Sequence, residues 1–296
     1  MSKSSENTQV VTQQTARILR GCRKILGLTQ KNVALRLGVN SRALSRIEKG
    51  TQLLTAPQWF EFCEMVGISP NSLTTGYVEV SETKRKAAGQ SSGIKLPRRY
   101  AHHANSRIRI TLPFLSYCKK VWGEEKLNQY LEFRKVDPDL FVDLSGNINI
   151  GFGIDLVREL IQKSNLTKKN ISDISLSVTT SGMHGSLHKC YNEAPANGSA
   201  LIYSLINNIA QYETNFQYRV EDWNSRYMDI SVTPNEHMEA FNYRNDTILG
   251  DFFCHYKRGF LVNFSTYQHQ RAENVIIKEN HYKGAPRCLY RVQTVD

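Results

Sequence analysis

Residues 28–50 constrain the fold more tightly than any other part of this 296-residue sequence. Apolar residues recur there at helical spacing in two short blocks, Val33, Ala34 and Leu37 in the first and Leu44 and Ile47 in the second. Gly38 follows the first block and Gly50 follows the second, and glycine readily takes the left-handed conformation that ends a helix. Thr29 precedes the first block, where its hydroxyl can cap the helix start. The pattern predicts two short helices joined by a tight turn.

Two short helices joined by a glycine-containing turn form a helix-turn-helix. The run LTQKNVALRLGVNSRALSRIEKG at residues 28–50 resembles the helix-turn-helix of Cro-like and XRE-family regulators, the phage-repressor type. The resemblance extends over about residues 15–76. It implies a five-helix domain that binds double-stranded DNA, with residues 42–48 in the major groove and Gln30 approaching the DNA backbone.

The outer face near the start of the second helix of the motif carries side chains that can reach base edges, namely Ser41, Arg42, Ser45 and Arg46. Arg42 is the strongest candidate, because a guanidinium can donate two hydrogen bonds to guanine. Three further residues are better placed to contact phosphates, which position a protein without specifying sequence: Gln30, Asn40 and Lys49. The alternative interpretation of these side chains is an ordinary solvated helix face.

Two structural expectations accompany this interpretation. Asn40 or Ser41 should cap the second helix, because both can accept an amide hydrogen at a helix start. An acid next to DNA is better explained by a structural role, so we expect Glu48 to form an ion pair with Arg36.

The positive charge is concentrated in the first third of the chain. Residues 1–80 carry 10 Lys and Arg against 5 Asp and Glu, residues 81–112 carry 8 against 1, and residues 113–296 carry 20 against 21. The net charge is +11. A basic segment before a neutral body is typical of a nucleic-acid-binding protein, although a basic solvated surface is the alternative.

The sequence predicts four segments. Residues 1–14 are polar and expected to be disordered. An all-α helix-turn-helix domain of about five helices is expected at 15–76, a basic linker at 77–107, and an α+β domain with an antiparallel sheet at 108–296. The linker charges are equally consistent with contacts to phosphates or a minor groove and with a soluble spacer.

Within residues 108–296 the apolar periodicity indicates helices and strands in separate runs, which favours an α+β fold. Helices are predicted at 112–133, 152–162 and 201–212. Strands are predicted at 171–179, 216–220, 228–232, 258–266, 274–280 and 287–292.

The C-terminal end of the chain resembles the end of the 4-vinyl reductase domain, a small-molecule-sensing module. The resemblance implies Cys254, Glu279 and Cys288 as candidate zinc ligands. Tyr282 stands where that family has a further cysteine, so a four-ligand thiolate site is incomplete. The alternative is that both cysteines are buried small apolar residues, and no metal is the prediction.

Composition excludes several other classes of protein. The six cysteines are widely spaced and include no Cys-x-x-Cys pair, which argues against a disulfide scaffold and a zinc finger. No apolar stretch reaches the length of about 18 residues that a membrane helix requires. The polar N-terminus lacks the apolar core of a signal peptide, and we expect a cytoplasmic protein.

These observations predict a non-enzymatic, sequence-specific transcription regulator. The C-terminal domain is expected to form a homodimer, to sense a small-molecule ligand, or both. A scaffold whose C-terminal domain only oligomerises or docks a protein partner is the first alternative. An enzyme domain tethered to a DNA-binding head is the second.

Overall fold

The computed structural model describes residues 3–88, 94–164, 166–180, 198–209, 213–239, 246–265 and 274–293. Contacts within the chain divide it into two compact units. The first comprises Met1–Pro97 and Asn128–Gly146, and the second comprises Arg98–Leu127 and Asn147–Asp296. The sequence of the second unit is therefore interrupted by a segment that packs with the first.

The first unit is helical throughout the helix-turn-helix region, as predicted. Its helices are α1 (Lys3–Ile25), α2 (Gln30–Arg36), α3 (Ser41–Glu48), α4 (Ala56–Val66), α5 (Ser72–Thr75) and α6 (Glu82–Ala88). Their apolar sides meet in one core, which includes Ile18, Leu19, Val33, Leu44, Ile47, Trp59, Phe62 and Val66. Burial of a side chain of this size stabilises the fold by about 1.5–3 kcal/mol, so this core holds the short helices together.

Local capping sets the ends of α2 and α3. The side chains of Thr29 and Asn40 each accept a hydrogen bond from the amide three residues later, at 3.1 Å and 2.8 Å. Of the two candidate caps for α3, Asn40 is the one that serves. Gly38 and Gly50 follow the helix ends with φ values of 65° and 69°, in the left-handed region as predicted.

The expectation of disorder at residues 1–14 is wrong from Lys3 onward, because α1 begins there. A polar segment without an apolar core of its own can continue a helix that is anchored further along the chain. Gln13 contributes a tertiary contact, since its Nε2 donates to the carbonyl of Gly50 at 3.4 Å.

The segment at 77–107 is not simply a linker. Val78 and Val80 are buried in the core of the first unit. The Val78 amide donates to the Val142 carbonyl at 2.9 Å, and the Val78 carbonyl accepts from the Leu144 amide at 2.8 Å. Two alternating valines are too short a pattern to predict a strand, so only the tertiary pairing reveals this bridge.

The second unit contains the predicted antiparallel sheet together with helices. Its four-stranded sheet has the order β3-β4-β6-β5, and β1 and β2 form a separate pair. The strands are β1 (Ser106–Arg107), β2 (Asn147–Ile148), β3 (Phe216–Trp223), β4 (Tyr227–Pro234), β5 (Val275–Glu279) and β6 (Cys288–Gln293). The strands predicted at 216–220, 228–232, 274–280 and 287–292 are confirmed, and the α+β fold class with them.

The remaining helices are α7 (Arg98–Ala101), α8 (Ile108–Trp122), α9 (Glu124–Phe133), α10 (Ile150–Lys163), α11 (Lys168–Thr180), α12 (Gly198–Asn208), α13 (Glu236–Glu239) and α14 (Thr247–Ser265). The single helix predicted at 112–133 is broken at Gly123, which has a φ of 84°. The predicted helix at 152–162 is confirmed, and the one at 201–212 corresponds to α12 as far as residue 208, while residues 210–212 lie outside the described residues. Among the helices of the described residues, none combines the length and the apolar composition of a membrane span.

Two strand predictions are wrong. Residues 171–179 lie in α11, and residues 258–265 of the segment predicted at 258–266 lie in α14, while residue 266 is outside the described residues. Both segments contain alternating apolar residues, but their buried positions follow helical spacing. Cys254, Lys257 and Leu261 are all buried along α14. The predicted strand began at residue 258, in the middle of α14, so it did not include the buried positions in the first half of the helix.

Candidate nucleic-acid interface

Helix α3 has an inner face that is fixed to the core and an outer face that is open to solvent. Ala43, Leu44, Ile47 and Glu48 are buried. On the other side Ser41, Arg42 and Arg46 are exposed, as are Asn40 before the helix and Lys49 after it, whereas Ser45 and Gln30 are half-buried. The helix therefore presents most of the predicted DNA-contacting side chains together.

The two arginines of this face differ in their surroundings. Arg46 Nε donates to the side-chain oxygen of Gln52 at 3.0 Å. Within the described part of the chain, no hydrogen bond or ion pair engages the side chain of Arg42 or Lys49. Arg42 stands in the first turn of α3, which is the end that approaches base edges in helix-turn-helix complexes.

Two predicted phosphate contacts have partners within the protein. The Asn40 side-chain oxygen is committed to the amide of Ala43, which leaves its NH₂ group as the donor for any phosphate. Gln30 Nε2 donates to Glu48 Oε2 at 2.6 Å. The structure therefore turns Gln30 toward α3.

The prediction that Glu48 pairs with Arg36 is wrong. Arg36 forms an ion pair with Glu61 at the surface of the unit. Glu48 pairs instead with Arg23 of α1, whose Nε and Nη2 donate to its two carboxylate oxygens. Because the Glu48 side chain is only 5% exposed, the bidentate arginine supplies the charge compensation that burial requires.

Sequence reasoning missed Arg20 and Arg23 as residues that support α3. Arg20 Nη1 donates to the backbone carbonyl of Glu48 at 2.8 Å. Their spacing of three along α1 puts them on neighbouring positions of one helix face, which was a readable signal. Their partners lie on other elements and could not be read from that spacing.

The basic charges after residue 80 also have protein partners. Lys84 Nζ donates to the Met65 carbonyl at 3.2 Å. Arg85 Nη2 donates to the Val80 carbonyl at 2.9 Å, and its Nη1 lies 3.5 Å from Asp143. Lys84 and Arg85 thus stabilise the first unit, which accounts for part of the charge assigned to the linker.

The three candidate metal ligands do not form one site. Cys254 lies on α14 and Cys288 begins β6, where both are buried. Glu279 lies on β5 and pairs with Arg287 at 3.4 Å. Among the described residues, no group of three or more His, Cys, Asp and Glu side chains is placed to hold a metal ion.

The two cysteines instead belong to a buried polar cluster. A hydrogen bond with the Cys254 thiol, together with the nearby Lys257 ammonium, lowers the pKa of Cys288 to about 6. The same contact with Cys288 raises the pKa of Cys254 above its ordinary value. Tyr290 Oη donates to the Cys254 carbonyl at 3.1 Å. Burial lowers the pKa of Lys257 to about 8, and its Nζ lies 3.3 Å from the centre of the Phe216 ring.

A cavity of about 630 Å³ lies beside β3 and β4 in the second unit. Both apolar and polar side chains line the cavity. The apolar side chains include Ile206 and Ile209, and the polar side chains include Glu213, Tyr218 and Arg287. Desolvation raises the pKa of Glu213 to about 7. Such a volume and lining suit a small molecule with both apolar and polar groups.

Comparison with known proteins gives a local match and a distant one. Residues 19–73 match the family model described as helix-turn-helix. No curated protein matches the chain in sequence. Two solved structures align with 64% of this chain and with 97% of their own chains. One is the Fe(II) unliganded H-NOX protein from K. algicida, at 11% identity and a TM-score of 0.45. The other is a point mutant of that protein, at 7% identity and a TM-score of 0.46. At these TM-scores the likeness supports no conclusion about the second unit.

The family match coincides with the helices whose outer face was described above. It includes α2 and α3 in full and most of the core that fixes them. Residues 19–73 are therefore a helix-turn-helix domain of the XRE family, and the chain is a DNA-binding transcription regulator.

Proposed function

We propose that this regulator recognises a specific operator sequence through the outer face of α3, with Arg42 as its main base-reading residue. The observation that carries the proposal is the contrast along the helix. One side is buried, and Arg42 stands exposed in the first turn of the other with no described partner. A guanidinium in this position can donate two hydrogen bonds to guanine.

The neighbouring side chains take supporting roles in this proposal. Ser41, Ser45 and Arg46 border Arg42 on the same side and complete the contact with base edges and sugar-phosphate groups. Lys49 and the Asn40 NH₂ group contact phosphates at the two ends of the helix. Gln30 contributes chiefly by holding Glu48, and reaches DNA only if that hydrogen bond is exchanged.

The test begins with selection of tight-binding duplexes from a random-sequence library by the full-length protein. Arg42→Ala should then weaken binding to the selected duplex by about 1–3 kcal/mol and binding to random duplex much less. Lys49→Ala is the matched control, because loss of a phosphate contact weakens both duplexes equally. Equal losses for Arg42→Ala on both duplexes would remove its base-reading role.

We also propose that the second unit senses a small molecule in its cavity and joins two chains into a homodimer in the cytoplasm. The mixed lining and volume of the cavity support ligand binding. Dimerisation is supported by charge, because a neutral body can associate without the repulsion that two basic heads experience. A purely oligomerising scaffold and a tethered enzyme domain are the competing assignments.

Two measurements on the full-length chain separate these assignments. Light scattering at micromolar concentration should give the mass of a dimer, and a monomer would contradict the assembly. Thermal stability should rise with one class of compounds in a metabolite panel, and Ile206→Trp, which fills the cavity, should abolish that rise. Catalytic turnover of the stabilising compound would favour the enzyme instead.

A further inference from the structure

Arg20 connects α3, the proposed DNA-recognition helix, to a distant segment of the chain. Its Nη1 donates to the carbonyl of Glu48, the last residue of α3, at 2.8 Å. Its Nε and Nη2 donate to the two carboxylate oxygens of Asp139, at 2.7 Å and 2.8 Å. Arg20 and Asp139 are 119 positions apart in sequence. The guanidinium is therefore held in a fixed orientation by Asp139 while it holds the end of α3.

The segment that carries Asp139 is built tightly into the first unit. Asp139 lies in a 3₁₀ helix, Pro138–Val142, that packs against α1. A Cβ at Gly21 would lie 2.5 Å from Val142 Cγ1 and 3.0 Å from the Asp139 carbonyl, so only glycine permits this approach. The Asp139 side chain is 4% exposed. It is thus a buried carboxylate with fixed partners.

Asp139 remains charged in this environment. Burial alone would raise the pKa of Asp139, but hydrogen bonds and charge from Arg20 and Lys24 outweigh burial and hold it below its ordinary value. Lys24 Nζ lies 2.7 Å from Asp139 and 2.7 Å from Asp137. Of the two cations on Asp139, only Arg20 also contacts α3.

The far end of α3 is where a small error in orientation would matter. Arg42 lies about 9 Å from Glu48 along the axis, at a rise of about 1.5 Å per residue. A rotation of about 10° around Glu48 would move Arg42 by about 1.5 Å, which takes a hydrogen bond of about 3 Å out of range. Contacts with phosphates tolerate such a shift better, because flexible side chains and long-range attraction supply them.

We propose that Asp139, acting through Arg20, positions the recognition helix and thereby sets the discrimination between operator and random DNA. This inference rests on the proposed function of α3. It makes residues beyond the helix-turn-helix match part of the DNA-reading apparatus. Asp139 and Arg20 are positioning residues, since neither is assigned a contact with DNA.

The experiment compares three variants of the full-length chain: Asp139→Asn, Arg20→Lys and Lys24→Gln. Each is tested for affinity to a duplex selected by the wild type and to a random duplex of equal length. Asp139→Asn removes the charge that orients Arg20. Arg20→Lys keeps an ion pair with Asp139 but has one ammonium, which lacks the fork that reaches Asp139 and Glu48 together. Lys24→Gln removes a cation from Asp139 without touching α3.

Asp139→Asn and Arg20→Lys should each lower affinity for the selected duplex about tenfold, which corresponds to about 1.4 kcal/mol of binding free energy. Affinity for the random duplex should fall less than about twofold. Lys24→Gln should leave the ratio of the two affinities unchanged, even if it lowers the melting temperature. The salt dependence of binding to random duplex should stay the same in all three, because no phosphate contact is lost. A purely structural role for Asp139 would change stability but not the ratio.

The inference would be overturned if folded Arg20→Lys kept the wild-type ratio of affinity for the selected duplex to affinity for the random duplex. It would also be overturned if Lys24→Gln lowered that ratio as much as Arg20→Lys does. Circular dichroism establishes which variants are folded. Arg20→Lys decides the outcome if Asp139→Asn fails to fold, because it retains charge on both partners. Failure of the wild type to prefer any selected duplex would instead reject sequence-specific binding itself.

Discussion

The contacts that support α3 in the first unit and the Lys257–Cys288 cluster in the second unit treat buried charge in opposite ways, although Arg291 of the second unit also binds buried Asp229 in a bidentate manner. In the first unit the buried carboxylates Glu48 and Asp139 are bound by arginines at bidentate distance. In the second, Lys257 and Cys288 are buried with pKa values of about 8 and about 6, close to physiological pH. Arginine keeps its charge at any physiological pH, whereas these groups do not. The comparison indicates fixed charges around α3 and groups that titrate near physiological pH in the cluster of Cys254, Lys257 and Cys288.

The variant with the largest expected effect on this contrast is Arg23→Met. Removal of one partner from a buried pair leaves a carboxylate without its charge compensation, so we expect a loss of about 3 kcal/mol in the free energy of unfolding. Urea denaturation of the full-length protein measures this loss.

The matched control for Arg23→Met is Arg36→Met, because the Arg36–Glu61 pair is exposed, at 56% and 36%. Exposed pairs contribute about 0–1 kcal/mol, so the control should change stability little. Similar losses in the two variants would contradict the role given to the buried pair.

A second test compares one helical glycine from each unit. Gly21→Ala places a Cβ 2.5 Å from Val142, so it should destabilise the first unit by about 1–3 kcal/mol. At Gly153 on α10 the nearest atoms to a new Cβ are 3.7 Å and 3.8 Å away, which is ordinary contact. Gly153→Ala should therefore stabilise the protein by about 0.5–1 kcal/mol, since alanine favours the helix. Thermal denaturation checks this pair. Relative to the wild type, the melting temperature should fall for Gly21→Ala and rise for Gly153→Ala.

The last test concerns pH. The pKa of Cys288 is lower in the folded state, about 6, than its ordinary value of 9.0. The unfolded chain therefore binds more protons between these values, and the stabilisation contributed by Cys288 is lost as pH falls from 9 toward 6. Above pH 7 the opposite contribution of Glu213, whose pKa is raised to about 7, is largely complete.

We accordingly expect stability to rise with pH between 7 and 9 in the wild type, because Cys288 and Lys257, whose pKa is lowered to about 8, both bind fewer protons in the folded state than in the unfolded chain. Cys288→Ala should reduce the rise by the part that Cys288 contributes and leave the part from Lys257, and urea denaturation at three pH values measures the change. Cys63→Ala is the control, because burial raises the pKa of Cys63 to about 11, so this thiol does not contribute a rise in that window. A slope equal to that of the wild type in Cys288→Ala would assign the pH dependence to other groups.

Much of the first unit was predictable because its signals are local. Thr29 and Asn40 cap helices with their own side chains, and Gly38 and Gly50 end helices through their own backbone conformations. The strands of the second unit were predictable where apolar and polar residues alternate in the sequence, as in β3 and β4, although β4 is buried at every position from Met228 to Val232. The same alternation failed in α11 and α14, where burial on several sides hides the helical period.

The candidate site divides in the same manner. The sequence placed Arg42 on the outer face of α3, because the apolar positions of the helix determine which side faces the core. It could not identify Arg23 as the partner of Glu48 and gave Arg36 instead, because Arg23 lies on another helix, 25 positions away in the sequence. Nor could it join Arg20 to Asp139, or Cys254 to Cys288, because each pair comes from elements separated by long stretches of chain.

The sequence by itself therefore determined the helix-turn-helix, the Thr29 cap, the turn and the side of α3 that faces away from the core. Those features depend on interactions within a few residues, which the order of amino acids specifies directly. Only the tertiary structure decided that the segment around Asp139 packs against α1 and that the two cysteines meet beside Lys257. Such contacts depend on how whole elements pack, and the same residues could have found other partners in a different arrangement of the core.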